Sequence, residues 1–258
     1  MIVRTPKQRE DLVEGGRRIG EVLAKVARAV VPGITTEELD DLAEKLIRDL
    51  GDEPSFLGYQ PEGARRPFPA TLCVSINDEV VHGIPSPSRK LKTGDIVSLD
   101  LGLTHHGLIL DSAVTVPVGK VKPELLELIA ATDAALEAGI AAARPGNRTG
   151  DISRAIGEAY KGTGFAIVRV LGGHGVGEHV HEEPFIANYG KGGDGVDIVP
   201  GMVLALEPIA TLGKASVVLS QDGYTYRTKD GSAAAHSEHT ILIEEKETVV
   251  LTRRPGEV

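Results

Sequence analysis

The sequence predicts an α+β fold made of two related halves that share one central sheet and carry their helices outside. Three observations lead there. Helical patterns come in two pairs, each a long helix then a shorter one; strand-rich sequence follows each pair; and the pairs match at a constant offset. Pro32-Gly33, Thr36, Leu39 and Gly51 fall 113 positions before Pro145-Gly146, Thr149, Ile152 and Gly164. Each proline-glycine ends a long helix, each threonine starts the next, and each late glycine closes it.

Taken in order, Thr5-Pro6 caps a first helix that carries Leu12, Ile19, Leu23 and Val26 along one stripe. "PGITTEELDDLAEKLIRDLG" supplies a threonine cap, acidic residues in the first turn and Gly51 as the stop. Residues 70–118 then read as strands. Within them "VSLDLGLTHHGLILDSAVTV" (97–116) is a strand pair folded about a turn, with Asp100 and Asp111 inside apolar runs. A turn at His105-His106, before Gly107, pairs 103 with 108 and 100 with 111. The two aspartates would then face each other, with Cβ atoms roughly 4.5–5.5 Å apart. Buried like charges so placed call for something positive between them.

The second half repeats the plan. "KPELLELIAATDAALEAGIAAARPG" reads as a long helix and "TGDISRAIGEAYKGTG" as a shorter one, with strands over 165–172 and 202–245. "GGHGVGEHVHEEP" (172–184) sets His174 among glycines, which leave its ring uncrowded, and His181 seven positions on. The run leads into "HVHEEPF" rather than a helix, so it is not a dinucleotide fingerprint. "GMVLALEPIA" (201–210) is a strand run ending on Glu207, and "HSEHTILIEE" (236–245) opens a strand with Glu238. Domain organisation is read as one catalytic domain over 1–258, with halves at about 1–120 and 121–258.

Composition narrows the function. A 41% hydrophobic content supports a substantial core, and with no Trp the packing rests on aliphatic side chains. A net charge of −9 argues against a phosphate backbone as direct partner. The lone cysteine, Cys73, excludes an internal disulfide and suits a reducing compartment. No apolar run reaches bilayer-spanning length, and "MIVRTPKQREDLVEGG" has no hydrophobic signal segment, so a cytoplasmic protein is expected.

Singly, a glutamate at a strand end is a solvated terminus. Together, Asp100, Asp111, Glu207 and Glu238 carry four negative charges into one sheet beside His174, which two divalent cations would balance. Oxygen-rich ligation with one nitrogen suits Mn, Fe(II), Co or Zn. Bridging carboxylates hold such ions about 3.5–4 Å apart, the spacing that activates a water for hydrolysis.

An aspartate, a second eleven positions later, a glycine-flanked histidine, Glu-Pro and then Glu-His-Thr form an order that resembles the type I methionine aminopeptidases. "SINDEVVHGIP" (75–85) and "HEEP" (181–184) strengthen the match, which covers essentially the whole chain. The resemblance implies a pseudo-twofold "pita-bread" fold with a central antiparallel sheet. It implies Asp100, Asp111, His174, Glu207 and Glu238 as metal ligands, Asp111 and Glu238 bridging both ions. His82 and His181 would flank the bound peptide and stabilise the tetrahedral intermediate. A hydroxide bridging two divalent metals would attack, and Glu207 would pass the proton to the leaving amine. The substrate would be the N-terminus of a newly made polypeptide, met at the ribosome, whose methionine precedes a small residue. The enzyme is expected to be a monomer. Tyr59, Phe68, Cys73, Val180 and Tyr224 would wall the methionine pocket, Cys73 as packing and not as nucleophile.

The sequence departs from that family's pattern in four places. Ile109-Leu110 stands where His-Gly is common before the second aspartate. Gly102 stands for threonine, Glu178 for arginine, and Val180 for a larger Phe or Met. These bear on metal affinity and pocket shape, and suggest a divergent or secondary copy of the enzyme. Rival readings are a prolidase or an aminopeptidase cleaving before proline, which usually carries an extra N-terminal domain, and a non-catalytic ribosome- or histone-binding module. A third is that the acidic residues merely line a solvated sheet edge.

Overall fold

The computed structural model describes residues 1–257. Helices α1 (Pro6–Ala29) and α2 (Thr36–Asp49) precede strands β1 (Glu53–Pro54), β2 (Leu72–Ile76), β3 (Glu79–Val81), β4 (Ile96–His105) and β5 (Leu108–Pro117). Helices α3 (Pro123–Ala142) and α4 (Thr149–Ala159) precede β6 (Ala166–Ile167), β7 (Gly172–Gly175), β8 (Glu182–Ala187), β9 (Val203–Leu206) and β10 (Ile209–Thr211). The chain continues through β11 (Val217–Leu219), β12 (Tyr226–Thr228), β13 (Ala234–His236), β14 (Glu238–Ile243) and β15 (Thr248–Val250).

Nine strands form the central sheet, in the order β1-β4-β5-β14-β9-β7-β8, with β2 also on β4 and β15 also on β14. Every pairing is antiparallel. Side chains alternate between faces along each strand, and this sorts the sequence. Leu99, Leu101 and Leu103 of β4 turn to the helices and pack with Leu12, Ile19, Leu23 and Val26 of α1. Leu204, Leu206, Ile241 and Ile243 do the same beneath Leu128 and Leu136 of α3 and Ile152 and Ile156 of α4. The even-numbered residues of β4 and the odd-numbered ones of β5 face inward.

The two helix pairs are seated alike. Gly33 N–H donates to Leu91 O (2.8 Å) and Gly146 N–H to Ile198 O (3.3 Å). Thr36 Oγ1 accepts from Ser86 N–H at 2.9 Å, and Thr149 Oγ1 from Val196 N–H at 3.0 Å. The first-turn threonine of each short helix is therefore a strut to the loop beyond. Capping α2 itself falls to the residue before: Thr35 Oγ1 accepts from Glu38 N–H at 3.1 Å, and Glu38 accepts from Thr35 N–H at 2.7 Å.

The hairpin register differs from the expectation. His105 pairs with Leu108, Gly102 with Asp111, and Asp100 with Ala113. The turn is the two residues His106 and Gly107, at φ 48° and 82°. Positive φ at both central positions is the twist-matched two-residue turn, which closes the hairpin one residue later than His105-His106. The register moves by two, so Asp100 and Asp111 become diagonal neighbours but keep a common face.

Candidate metal centre and substrate cavity

The strand registers bring the acidic residues to one place. Asp100 and Glu238 both pair with Ala113, and Asp111 lies two residues from Ala113 on the same face. His174 pairs with Ala205, which pairs with Thr240, two residues from Glu238. Small side chains at Gly102, Ala113 and Ala205 thus form a floor, and the carboxylates rise over it. Glu207 stands just past the end of β9. Between β5 and β14 the ladder is completed by a side chain: Thr240 Oγ1 accepts from Asp111 N–H at 2.9 Å and donates to Asp111 O at 2.7 Å.

Asp100, Asp111, His174 and Glu238 are buried. Among the described residues, Asp100 Oδ1, Asp111 Oδ1 and Glu238 Oε1 have no hydrogen-bond partner. No lysine or arginine pairs with the four carboxylates among those residues; only His174 and His236 approach, at 3.5–3.7 Å from Glu207 and Glu238. Burial raises Asp100 to about 7, and burial with mutual repulsion pushes Asp111, Glu207 and Glu238 well above the usual carboxylate range. Donor atoms of Asp111, His174 and Glu238 lie within 4.8 Å of one another. His174 Nδ1 is 2.9 Å from Gly175 O, so that nitrogen carries the proton and Nε2 keeps a bare lone pair for a cation. Orphaned oxygens converging with a free imidazole nitrogen fit divalent cations.

A second cluster, Asp11, His105 and His106, also has donors within 4.8 Å. Here the protein supplies the partners itself. Asp11 meets Lys7 at 2.5 Å and His106 at 2.8 Å, and Asp52 meets His105 at 2.7 Å and Arg18 at 3.1 Å. These contacts tie α1 to the hairpin tip.

A cavity of about 550 Å³, open solvent included, lies over the acidic cluster. It is lined by the ligand, histidine and pocket residues named from the sequence: Tyr59, Phe68, Cys73, His82, Asp100, Asp111, His174, Val180, His181, Glu207, Tyr224 and Glu238. Phe68 and Tyr224 meet edge to face at 5.1 Å, and the Tyr224 hydroxyl is fixed by Arg66 O. Cys73 stands opposite Asp100 across the β2–β4 pair and lines the cavity, where burial pushes its thiol well up. Ile109 packs against the same apolar cluster.

His82 holds a left-handed backbone, φ 58°, which for a residue with a Cβ marks a position fixed by its surroundings. Burial lowers it to about 4, so its ring is neutral near pH 7. His181 Nδ1 lies 2.9 Å from the Tyr59 hydroxyl and its ring meets that of His174 edge-on at 4.6 Å. Three further residues that the sequence did not single out line the cavity: Phe56, Pro61 and His236. Of these only His236 carried a usable signal, standing two positions before Glu238 in a strand run.

The sequence profile of metallopeptidase family M24 matches residues 10–245. The chain belongs to that family. "Methionine aminopeptidase" of Aquifex aeolicus is 44% identical over 245 residues, 94% of this chain and 95% of the relative. "Methionine aminopeptidase 1" of Bacillus subtilis is 41% identical over 253 residues, covering 98% and 99%. The crystal structure of methionine aminopeptidase from Thermotoga maritima superposes with a TM-score of 0.93 at 40% identity, covering 98% of this chain and all of that one. Prolidase from Pyrococcus furiosus, at 21% identity and TM-score 0.73 over 65% of its length, shares the fold. The antiparallel sheet, its outer helices and these neighbours make this the pseudo-twofold pita-bread fold. Among the described residues no helix is long and apolar enough to cross a membrane.

Proposed function

We propose that the chain is a metal-dependent methionine aminopeptidase, removing the N-terminal methionine of new polypeptides whose second residue is small. The observation that carries this is the set of buried, unpartnered carboxylate oxygens at the floor of an apolar cavity. Asp100, Asp111, His174, Glu207 and Glu238 are the residues that would hold two divalent cations of the Co, Mn, Fe or Zn kind. When bound, such cations supply Lewis acidity and a water activated at neutral pH. Both halves of the chain furnish donors, so residues 1–258 act as one catalytic domain.

The protein's own groups do the rest. Phe68, Cys73, Val180 and Tyr224 receive the methionine side chain and exclude water around the scissile bond. His82 and His181 line the same cavity, where neutral imidazole N–H groups donate to the scissile amide as charge develops on its oxygen. Tyr59 orients His181 through Nδ1, leaving Nε2 to face substrate. Glu207 takes a proton from the attacking water and returns it to the leaving amine. The proposed setting is the cytoplasm, on chains emerging from the ribosome, with the enzyme as a monomer.

Cleavage of Met-Ala-Ser and Ala-Pro peptides by protein loaded with Co²⁺ or Mn²⁺ tests the assignment. Release of methionine is expected, with Ala-Pro left intact and activity lost in Asp111→Asn. The reverse preference would move the chain to the prolidase branch of the fold. A folded protein that takes up no divalent ion by calorimetry would favour the binding-module reading.

A further inference from the structure

His236 ends β13 inside the acidic cluster, and none of the roles above uses it. Its ring is 2% exposed, yet neither Nδ1 nor Nε2 has a hydrogen-bond partner among the described residues. Nε2 lies 3.5 Å from Glu207 Oε2 and 3.5 Å from Glu238 Oε2. The backbone there is fixed twice over. His236 N–H donates to Thr115 Oγ1 at 2.9 Å, the Thr115 hydroxyl donates to His236 O at 2.7 Å, and His236 pairs with Ile209 across β10. A buried polar ring without partners is a departure that needs a reason. An imidazole carries at least one N–H in either protonation state, and two acceptors stand equally far from Nε2.

We propose that His236 is a positioning residue of the metal centre, its Nε2–H bridging the Glu207 and Glu238 carboxylates so that both present their other oxygens to the cations. The inference rests on the metal-centre reading above. A carboxylate that binds a cation through one oxygen still has lone pairs to satisfy, and the donor that satisfies them sets its orientation. His174 and His236 differ in what fixes them. Gly175 O takes the Nδ1 proton of His174 and leaves its Nε2 bare, as a ligand requires. Nothing holds a proton on Nδ1 of His236, whereas two carboxylates draw one to Nε2. The first is built to bind a cation and the second to donate to the groups that do.

The test compares metal-free wild type, His236→Leu and His236→Gln by Co²⁺ calorimetry, visible absorption of the bound Co²⁺, thermal melting and peptide kinetics. His236→Leu is expected to weaken Co²⁺ binding by about 10- to 100-fold, and to lower kcat with little change in KM for Met-Ala-Ser. His236→Gln, which keeps an N–H at similar reach, should restore most of both. The absorption bands of bound Co²⁺ should stay as in wild type. Metal-free His236→Leu should melt no lower than wild type, because it exchanges an unpartnered ring for an apolar group. Wild-type affinity in His236→Leu would overturn the proposal. So would a lowered metal-free melting point without rescue by glutamine, which is a packing role, or altered Co²⁺ bands in both variants, which is direct ligation. Wild type that binds no Co²⁺ would remove the metal centre itself and this inference with it.

Discussion

At Gly102 the absence of a side chain is a local exchange of volume. A Cβ at Gly102 would lie 2.6 Å from Phe56 Cε1 and 2.9 Å from Cδ1. Gly102 pairs with Asp111, so the ring of Phe56 occupies the place a side chain here would take beside the second aspartate. The bare glycine at 102 and the ring of Phe56 are therefore one feature, invisible when positions are taken singly. Gly102→Thr should destabilise the protein by about 1–3 kcal/mol through overpacking, and Phe56→Leu should lose part of a buried ring. Combined, the two should be less harmful than their sum by about 1 kcal/mol or more, measured by urea denaturation of all four proteins. Strict additivity would separate the two positions. His236 escaped the sequence for a similar reason: Glu238 stands two positions on, but Thr115 and Glu207, which complete its surroundings, are distant along the chain.

Among the elements, helices were the most legible, since stripe, cap and stop are all local. Thr5 caps α1, Thr35 caps α2, and Leu12, Ile19, Leu23 and Val26 are all fully buried. Strand faces were legible too, because alternation fixes them. Register was not, because it turned on whether His106 would accept positive φ, which its side chain discourages but does not forbid. Short strands such as β1 left no pattern to read. The contact between α2 and β2 carries a prediction. Asp40 Oδ1 accepts from Thr71 N–H at 2.9 Å and Leu72 N–H at 2.8 Å. Burial, with Asp41 and Glu44 nearby, raises Asp40 to about 6 despite those bonds. A folded-state value above the unfolded one means the contribution to stability is full below about pH 4 and is lost as pH rises through about 6. Asp40→Asn keeps the accepting oxygen without the charge. It should be more stable than wild type by about 1–2 kcal/mol at pH 7.5, discounted for partial exposure, and equal to it near pH 4. Melting curves across that range decide it; a gap that widens toward acid would reverse the sign of the argument.

For the whole molecule, the inner face of the sheet sets folding against chemistry. Helices on the outer face bury two apolar clusters, one per helix pair, and that is where the stabilisation lies. The inner face holds four carboxylates whose charged forms burial disfavours. Neither half could hold the proposed centre alone, since Asp100 and Asp111 come from one and His174, Glu207 and Glu238 from the other. Cations bound between them would therefore stabilise the junction of the halves as well as neutralise it. Chelation at pH 7.5 should lower the melting temperature, and Mn²⁺ at about 100 times its dissociation constant should restore about 2.7 kcal/mol, some 5–10 °C for a chain of this size. Glu238→Gln removes one charge from the cluster. Without metal it should melt higher than wild type, because a buried carboxylate lacking its counter-ion is worse than an amide. With Mn²⁺ it should gain little and cleave nothing. Were Glu238→Gln less stable than metal-free wild type, the carboxylates would be stabilising one another unaided, and the cluster would be structural rather than a centre built for ions.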